Sequence, residues 1–175
     1  MMSDKVNILL KGYKYSKKYS KFEDTRNFLD SLPYINAGGC GISAYAMYLW
    51  LKKEDKLPKN FKLVFLHHTS SEEEFLNNRK VLVEGKGEIY APEHVAVKYK
   101  GDILDSSGVV STSRYGLFFE IPLDRAEDYI VNSLNTDDWN SSFNRAMCTA
   151  IIEKELGITF RSDLRRENKS WEHFN

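Results

Sequence analysis

Residues 36–50 read NAGGCGISAYAMYLW, which places Cys40 on a glycine-rich turn immediately before a segment of strong helical character. A thiol at the start of a helix lies near the positive end of the helix dipole and near backbone N–H groups that lack helical partners. Both features favour the thiolate, so the position suits a nucleophile. The neighbouring glycines permit a sharp turn and the close approach of a substrate carbonyl. The alternative is a buried structural cysteine beside a loop.

The helix that follows this turn has predicted limits of Gly41–Lys53. Ala44, Met47, Tyr48 and Leu51 recur at the spacing of one helical face and form an apolar stripe. Such a stripe is more often part of a core than of a ligand site. The sequence therefore predicts a helix buried on most sides.

Local patterns predict the other elements of the chain. Before the hairpin they are a helix over 22–32 ended by Pro33, a strand over 61–67, a short helix from Ser70 or Ser71 to about Arg79, and a possible strand over 81–83. After the hairpin a strand is predicted over 118–121, ended by Pro122, and a second long helix is capped by Thr136, Asp137 and Asp138 and ends at Gly157. A short C-terminal helix begins at Ser162 or Asp163 and includes Trp171. We expect one α+β domain over residues 1–175, with a catalytic core at about 33–122 and a C-terminal helical part at about 136–175.

The clearest hairpin signal joins residues 93–99 to residues 102–105 across Lys100 and Gly101. A two-residue turn pairs Tyr99 with Asp102, and counting back makes His94 and Asp105 diagonal neighbours on one face of the hairpin. Diagonal backbones are about 7 Å apart, within reach of an imidazole–carboxylate contact. A cysteine nucleophile needs a base, and the base needs a group that orients it. The hairpin therefore predicts His94 as the base and Asp105 as its orienting group.

Each of these residues also has a structural interpretation. A histidine at the start of a strand is more often a surface or core residue, and an aspartate before Ser-Ser-Gly is usually a turn former. His67 and His68 are competing bases, for which we favour a structural role.

Four further residues carry side chains of chemical interest. Cys148 has apolar neighbours typical of an inert core thiol. Tyr90 and the pair Arg114-Tyr115 could line a substrate groove, although a surface position is the more ordinary interpretation.

Composition limits the classes of function. The 175 residues include 25 basic and 25 acidic side chains, and this zero balance does not favour nucleic-acid or membrane-surface binding. Cys40 and Cys148 form no disulfide scaffold and no zinc motif, although a single disulfide between them stays open. The first residues lack a signal-peptide pattern, and no apolar run approaches the roughly 20 residues of a membrane span. We expect a cytoplasmic protein without metal or cofactor and leave its oligomeric state open.

These residues resemble the papain-like cysteine peptidase superfamily, in its NlpC-type and transglutaminase-like branches that use the order Cys, His, Asp. The matching pieces are Gly38-Gly39-Cys40-Gly41 with the helix that follows, His94-Val95-Ala96-Val97, and the stretch from Gly101 to Gly108. The resemblance extends from Asn36 to Gly108. It implies a papain-like α+β fold, in which the helix carrying the cysteine packs against a small antiparallel β-sheet.

The resemblance also implies acyl-transfer chemistry through a thioester, with Cys40, His94 and Asp105 as the catalytic residues. The backbone N–H of Cys40 and the side chain of Asn36 would form the oxyanion hole. The expected function is a cysteine-dependent hydrolase, a peptidase or amidase, that acts on a peptide, protein or amide substrate. One alternative is a transglutaminase or acyltransferase with the same triad. Another is a non-catalytic binding module, against which the intact triad argues.

Overall fold

The computed structural model describes residues 19–68, 72–84, 92–134 and 142–165. Helices and strands are mixed within these ranges, as predicted. The elements in chain order are α1 (Phe22–Asp30), α2 (Cys40–Lys53), β1 (Lys62–His67), α3 (Glu72–Glu84), β2 (His94–Tyr99), β3 (Asp102–Asp105), β4 (Gly108–Val109), β5 (Leu117–Ile121), α4 (Ala126–Leu134) and α5 (Arg145–Leu156).

The strands form one antiparallel sheet in the order β4-β3-β2-β1-β5. Its β2–β3 hairpin turns at Lys100 and Gly101, whose φ angles of 50° and 88° place both residues in the left-handed region. This is the type I′ geometry that matches the twist of a two-residue hairpin. Tyr99 pairs with Asp102. The predicted register is therefore confirmed.

The two faces of the sheet have different neighbours. Val95, Val97 and Leu104 belong to the main core, which also contains most of helix α2 and extends along the chain from Tyr19 to Leu164. The opposite face carries a smaller buried cluster of Val64, Leu66 and Ala96, against which Ile103, Val110 and Tyr115 pack. Because side chains alternate along a strand, His94 and Asp105 share the face of Ala96. Helix α2 lies on the other face, with its first residue near the start of β2.

Several predicted elements are confirmed with small shifts. Helix α1 ends at Asp30, before Pro33, and helix α2 begins at Cys40 itself. Strands β1 and β5 differ from their predicted limits by one residue at one end. Among the described residues, no helix is long and apolar enough to cross a membrane.

Two predictions of local structure are wrong, and a third lies only partly within the described residues. Val81, predicted within a short strand over 81–83, lies in helix α3, which continues to Glu84. A short apolar run does not distinguish a strand from a helical segment by periodicity alone. The second long helix begins at Arg145, since the side chain of Asn144 accepts a 2.9 Å hydrogen bond from the Met147 N–H and caps it there. The proposed capping residues 136–138 lie outside the described residues. The predicted short C-terminal helix corresponds to a 3-10 turn over Ser162–Leu164 in the described residues, and residues 166–175, which include Trp171, lie outside them.

Two elements had no predicted counterpart. Helix α4 follows β5, and its Ile130 packs against the start of α2. Strand β4 adds two residues beyond the Ser106-Ser107 turn. Its pairing of Asp105 with Gly108 makes that turn a tight hairpin.

Candidate active site

Cys40 is the first residue of helix α2 and is only 2% exposed. The turn before it relies on glycine for two different reasons. Gly38 has a φ of 116°, a conformation that L side chains rarely adopt. Gly39 has an ordinary φ of −99°, but a Cβ there would lie 2.6 Å from Cε2 of Phe143 and 2.8 Å from the carbonyl oxygen of Ile35. The turn that leads into the helix is therefore tightly packed at Gly39.

His94 is the first residue of β2 and is 7% exposed. Its Nε2 lies 2.9 Å from Oδ2 of Asp105 on the neighbouring strand. The diagonal placement that was counted from the hairpin turn therefore brings the two side chains into contact. An imidazole fixed through one ring nitrogen has its orientation fixed, which leaves Nδ1 for another partner.

Cys40 interacts with the same imidazole. Burial alone would lower the pKa of His94, but hydrogen bonding and charge from Asp105 and Cys40 outweigh it and raise the pKa from 6.5 to about 9. The structure thus brings together the three residues that the sequence singled out. A histidine with this pKa is an imidazolium at neutral pH.

The carboxylate of Asp105 is held in its ionised form. Burial raises its pKa, whereas hydrogen bonds from His94 and from the backbone N–H groups of Ser107 and Gly108 lower it, and the net shift is downward. The Ser107 N–H lies 2.8 Å from Oδ1. Each carboxylate oxygen therefore has its own partner, Oδ2 on the imidazole and Oδ1 on the turn.

The side chain of Asn36 contacts residues of the turn that follows Asp105. Its Nδ2 donates to Oγ of Ser106 at 2.8 Å, to Oγ of Ser107 at 3.0 Å and to Oδ1 of Asp30 at 3.4 Å. These contacts link the segment before Cys40 to the turn after Asp105. The contribution of Asn36 to an oxyanion hole stays a prediction.

Tyr115 covers the imidazole from the second face of the sheet. The Tyr115 ring stacks on the ring of His94 with centroids 6.3 Å apart and an angle of 17° between planes. His68 lies beside the same tyrosine at 5.9 Å and forms a 3.6 Å ion-pair contact with Glu93. Tyr115 is half-buried at this position, and its place in a substrate groove stays a prediction. Tyr90 and the side chain of Arg114 fall outside what the structure describes.

The other candidate groups lie in the interior. His67 is 1% exposed with its ring edge-on to Phe119, and burial lowers its pKa from 6.5 to about 4. A histidine that stays neutral in this way fits the predicted structural role. Cys148 is a buried free thiol in helix α5, and Cys40 is free as well, so the two form no disulfide.

The chain matches no family model, no curated protein and no solved structure. The site itself is therefore the basis for any functional assignment. Within the described ranges, no group of three or more His, Cys, Asp or Glu side chains is arranged to hold a metal ion. The chemistry available to these residues is that of a thiol paired with a charged imidazole.

Sequence reasoning missed Asp30, which accepts hydrogen bonds from Ser106 and Ser107. It lies at the end of helix α1, distant in sequence from both serines. The only local signal was the Ser-Ser pair after Asp105, which we interpreted as a turn. A pair of hydroxyls beside a carboxylate needs hydrogen-bond partners, but sequence does not say where they come from.

Proposed function

We propose that the protein is a cysteine-dependent hydrolase, a peptidase or amidase, with Cys40 as nucleophile, His94 as general acid and base, and Asp105 as the residue that orients His94. One observation carries the proposal. The same imidazole contacts Asp105 through Nε2 and interacts with Cys40, the first residue of a buried helix. A nucleophile, a base and an orienting group in this order are the parts required for acyl transfer.

In the first half of the reaction, the Cys40 thiolate attacks the substrate carbonyl carbon. A carbon–sulfur bond forms while the carbonyl π electrons move onto oxygen. The backbone N–H of Cys40, in the first turn of α2, would donate to this oxyanion. The carbonyl then re-forms as the carbon–nitrogen bond breaks, and the His94 imidazolium gives its proton to the departing amine. The product is a thioester on Cys40 and a free amine.

In the second half, neutral His94 removes a proton from water as the water oxygen attacks the thioester carbonyl. The tetrahedral species collapses with cleavage of the carbon–sulfur bond. The carboxylic acid leaves, and the thiolate and the imidazolium are restored. Asp105 keeps the ring oriented through both halves and stabilises its positive charge.

The arrangement of elements also supports the papain-like character of the proposed fold. A helix that begins at the cysteine packs on one face of an antiparallel sheet, and an adjacent hairpin carries the histidine and the aspartate. A thiol that is 2% exposed and an imidazole covered by Tyr115 favour a reaction shielded from bulk water.

Thiol alkylation tests the proposal without knowledge of the substrate. Iodoacetamide is applied near pH 6, and the labelled cysteine is identified by mass spectrometry. We expect Cys40 to be labelled faster than an ordinary thiol of pKa about 8.5, and His94→Ala to abolish that advantage. Cys148 is the internal control, because it is a free thiol buried like Cys40 but lies within helix α5 rather than at the start of a helix. Equal rates for Cys40 in the native and His94→Ala proteins would contradict the proposal.

Turnover gives the second test. A panel of peptide and amide substrates is incubated with the native protein and with Cys40→Ser. The thioester is trapped by acid quenching and detected as a mass increase on Cys40. Release of a carboxylic acid identifies hydrolysis, whereas transfer to an added amine identifies an acyltransferase. An acyl group on any residue other than Cys40 would contradict the assigned nucleophile.

A further inference from the structure

Asp30, the last residue of helix α1, accepts hydrogen bonds from polar side chains of the turn that follows Asp105. One carboxylate oxygen of Asp30, Oδ1, accepts hydrogen bonds from Ser107 Oγ at 2.9 Å, from Ser106 Oγ at 3.1 Å and from Asn36 Nδ2 at 3.4 Å. Hydrogen bonds to an ionised acceptor are stronger than those between neutral groups. Through these hydrogen bonds, the carboxylate of Asp30 links the end of α1 to the turn after β3 and to the segment before Cys40.

The centre of this cluster is buried although its rim is exposed. Ser106 is 1% exposed, whereas Asp30, Asn36 and Ser107 lie at the surface. The Ser106 hydroxyl both donates to Asp30 and accepts from Asn36. A buried hydroxyl with two partners in fixed directions leaves the turn little freedom to move.

The turn that Asp30 holds is the same turn that holds Asp105. The backbone N–H of Ser107 donates to Asp105 Oδ1 at 2.8 Å, and that of Gly108 also bonds the carboxylate. The other oxygen of Asp105 contacts His94 at 2.9 Å. A displacement of the Ser106-Ser107 turn would therefore move the carboxylate that orients the imidazole.

We propose that Asp30 is a positioning residue, which fixes the Asp105 carboxylate against His94 through the Ser106-Ser107 turn. The inference rests on the proposed cysteine hydrolase function. Asp30 touches neither the thiol nor the imidazole among its described contacts. It acts by hydrogen bonding to the turn, and its effect reaches the reaction only through Asp105.

Four variants separate this role from simple anchoring. Asp30→Ala removes the acceptor, whereas Asp30→Asn keeps an oxygen acceptor and removes only the charge. The double variant Ser106→Ala/Ser107→Ala breaks the same contacts without changing charge and leaves the Ser107 backbone N–H in place. Glu23→Gln is the control, because it removes one negative charge from the exposed first turn of the same helix.

Two measurements are made on each folded variant, with circular dichroism used to verify folding. One is the pKa of His94, obtained by NMR titration of its ring signals. The other is the rate of Cys40 alkylation by iodoacetamide between pH 5 and pH 10. In Asp30→Ala and in the double serine variant we expect a lower pKa of His94 and alkylation near pH 6 that is slower, by up to about a hundredfold, the scale for a misplacement of about 1 Å. We expect Asp30→Asn to be intermediate and Glu23→Gln to match the native protein.

An unchanged His94 pKa and alkylation profile in the folded Asp30→Asn and double serine variants would overturn the inference, even if their melting temperatures fell. A loss as large in Glu23→Gln would also overturn it, because the effect would then be one of net charge. Failure of the proposed function has a different signature, a native Cys40 that reacts no faster than in His94→Ala. The NMR titration of His94 needs no reactive thiol. It therefore tests the positioning role of Asp30 whether or not Cys40 is a nucleophile.

Discussion

His94 Nε2 and Asp105 Oδ2 lie 2.9 Å apart because the β2–β3 hairpin makes the two residues diagonal neighbours. The contact depends on the two-residue turn at Lys100-Gly101, since a shift of one residue in register would move Asp105 to the opposite face. It also depends on the Ser107 N–H, which holds the other oxygen of the carboxylate. The orientation of the imidazole is thus set by strand pairing on one side and by a turn on the other.

Replacement of Asp105 with Asn tests this contact directly. The substitution keeps the shape of the side chain but removes the negative charge that helps to raise the pKa of His94 to about 9. We expect that pKa to fall by about 1 to 3 units, the range for loss of a close opposite charge. NMR titration measures the change, and alkylation of Cys40 near pH 6 should slow in parallel. Asp102→Asn, an exposed change on the same strand, is the control. A pKa that stays near 9 in Asp105→Asn would show that Cys40 alone sustains the imidazolium.

The buried residues His67 and His94 should contribute to the free energy of unfolding with opposite dependences on pH. Burial holds the pKa of His67 at about 4, below its ordinary 6.5, so the unfolded chain binds more protons and stability falls as pH drops from 6.5 to 4. The pKa of His94 is raised from 6.5 to about 9, so its contribution is complete below pH 6.5 and is lost as pH rises through 9. Each contributes at most about 3 kcal/mol.

Urea denaturation across pH 4 to 10 measures the free energy of unfolding. We expect a maximum near pH 6.5. His67→Gln should flatten only the acid side of the curve, and His94→Gln only the alkaline side. If His67→Gln left the acid side unchanged, other groups would account for the loss of stability there.

The cap of helix α5 gives a prediction confined to stability. Asn144 accepts a hydrogen bond from the Met147 N–H at 2.9 Å. Asn144→Ala should lower the free energy of unfolding by about 1 kcal/mol, the usual cost of losing such a cap. Asn144→Asp keeps the acceptor and adds a charge that suits a helix N-terminus, so it should match the native protein. Urea denaturation compares the three, and equal stability of the Ala and Asp variants would contradict the capping role.

The hairpin and the helix after Cys40 were predictable because their signals are local. A two-residue turn fixes register, and register decides which side chains share a face. The same counting from the sequence predicts His94 beside Asp105, and the two side chains are in contact. The start of helix α5 was not predictable in this way, since residues 136–138 and Asn144 are all of types that cap helices, and only the structure shows the cap at Asn144.

The contacts that hold the triad residues in place could not be predicted from the sequence, for a different reason. Asp30 and Ser106 are separated by 76 residues and meet only in the folded chain. Gly39 gave a signal of turn flexibility, yet its φ is ordinary and its role is to leave space. A local pattern records which conformations a residue allows, but it does not record which distant residue fills the space beside it.

Gly39 therefore provides a test of packing beside the nucleophile. In Gly39→Ala the new methyl group would lie 2.6 Å from the Phe143 ring and 2.8 Å from the Ile35 carbonyl oxygen. The ring can move aside, but the backbone oxygen is part of the turn that leads to Cys40. We expect a loss of about 1 to 3 kcal/mol in the free energy of unfolding, typical of overpacking. Alkylation of Cys40 should slow as well, because the start of helix α2 must shift.

Two variants give this prediction its controls. Gly101→Ala introduces strain at a φ of 88° with no atom within 4 Å of the new methyl group, so it should cost about 1 kcal/mol and leave alkylation unchanged. The double variant Gly39→Ala/Phe143→Leu removes the ring contact and keeps the contact with Ile35. Alkylation that stays slow in the double variant would locate the effect in the backbone of the turn. Full recovery would instead assign it to the Phe143 ring, and native stability and alkylation in Gly39→Ala itself would refute the close packing on which helix α2 begins.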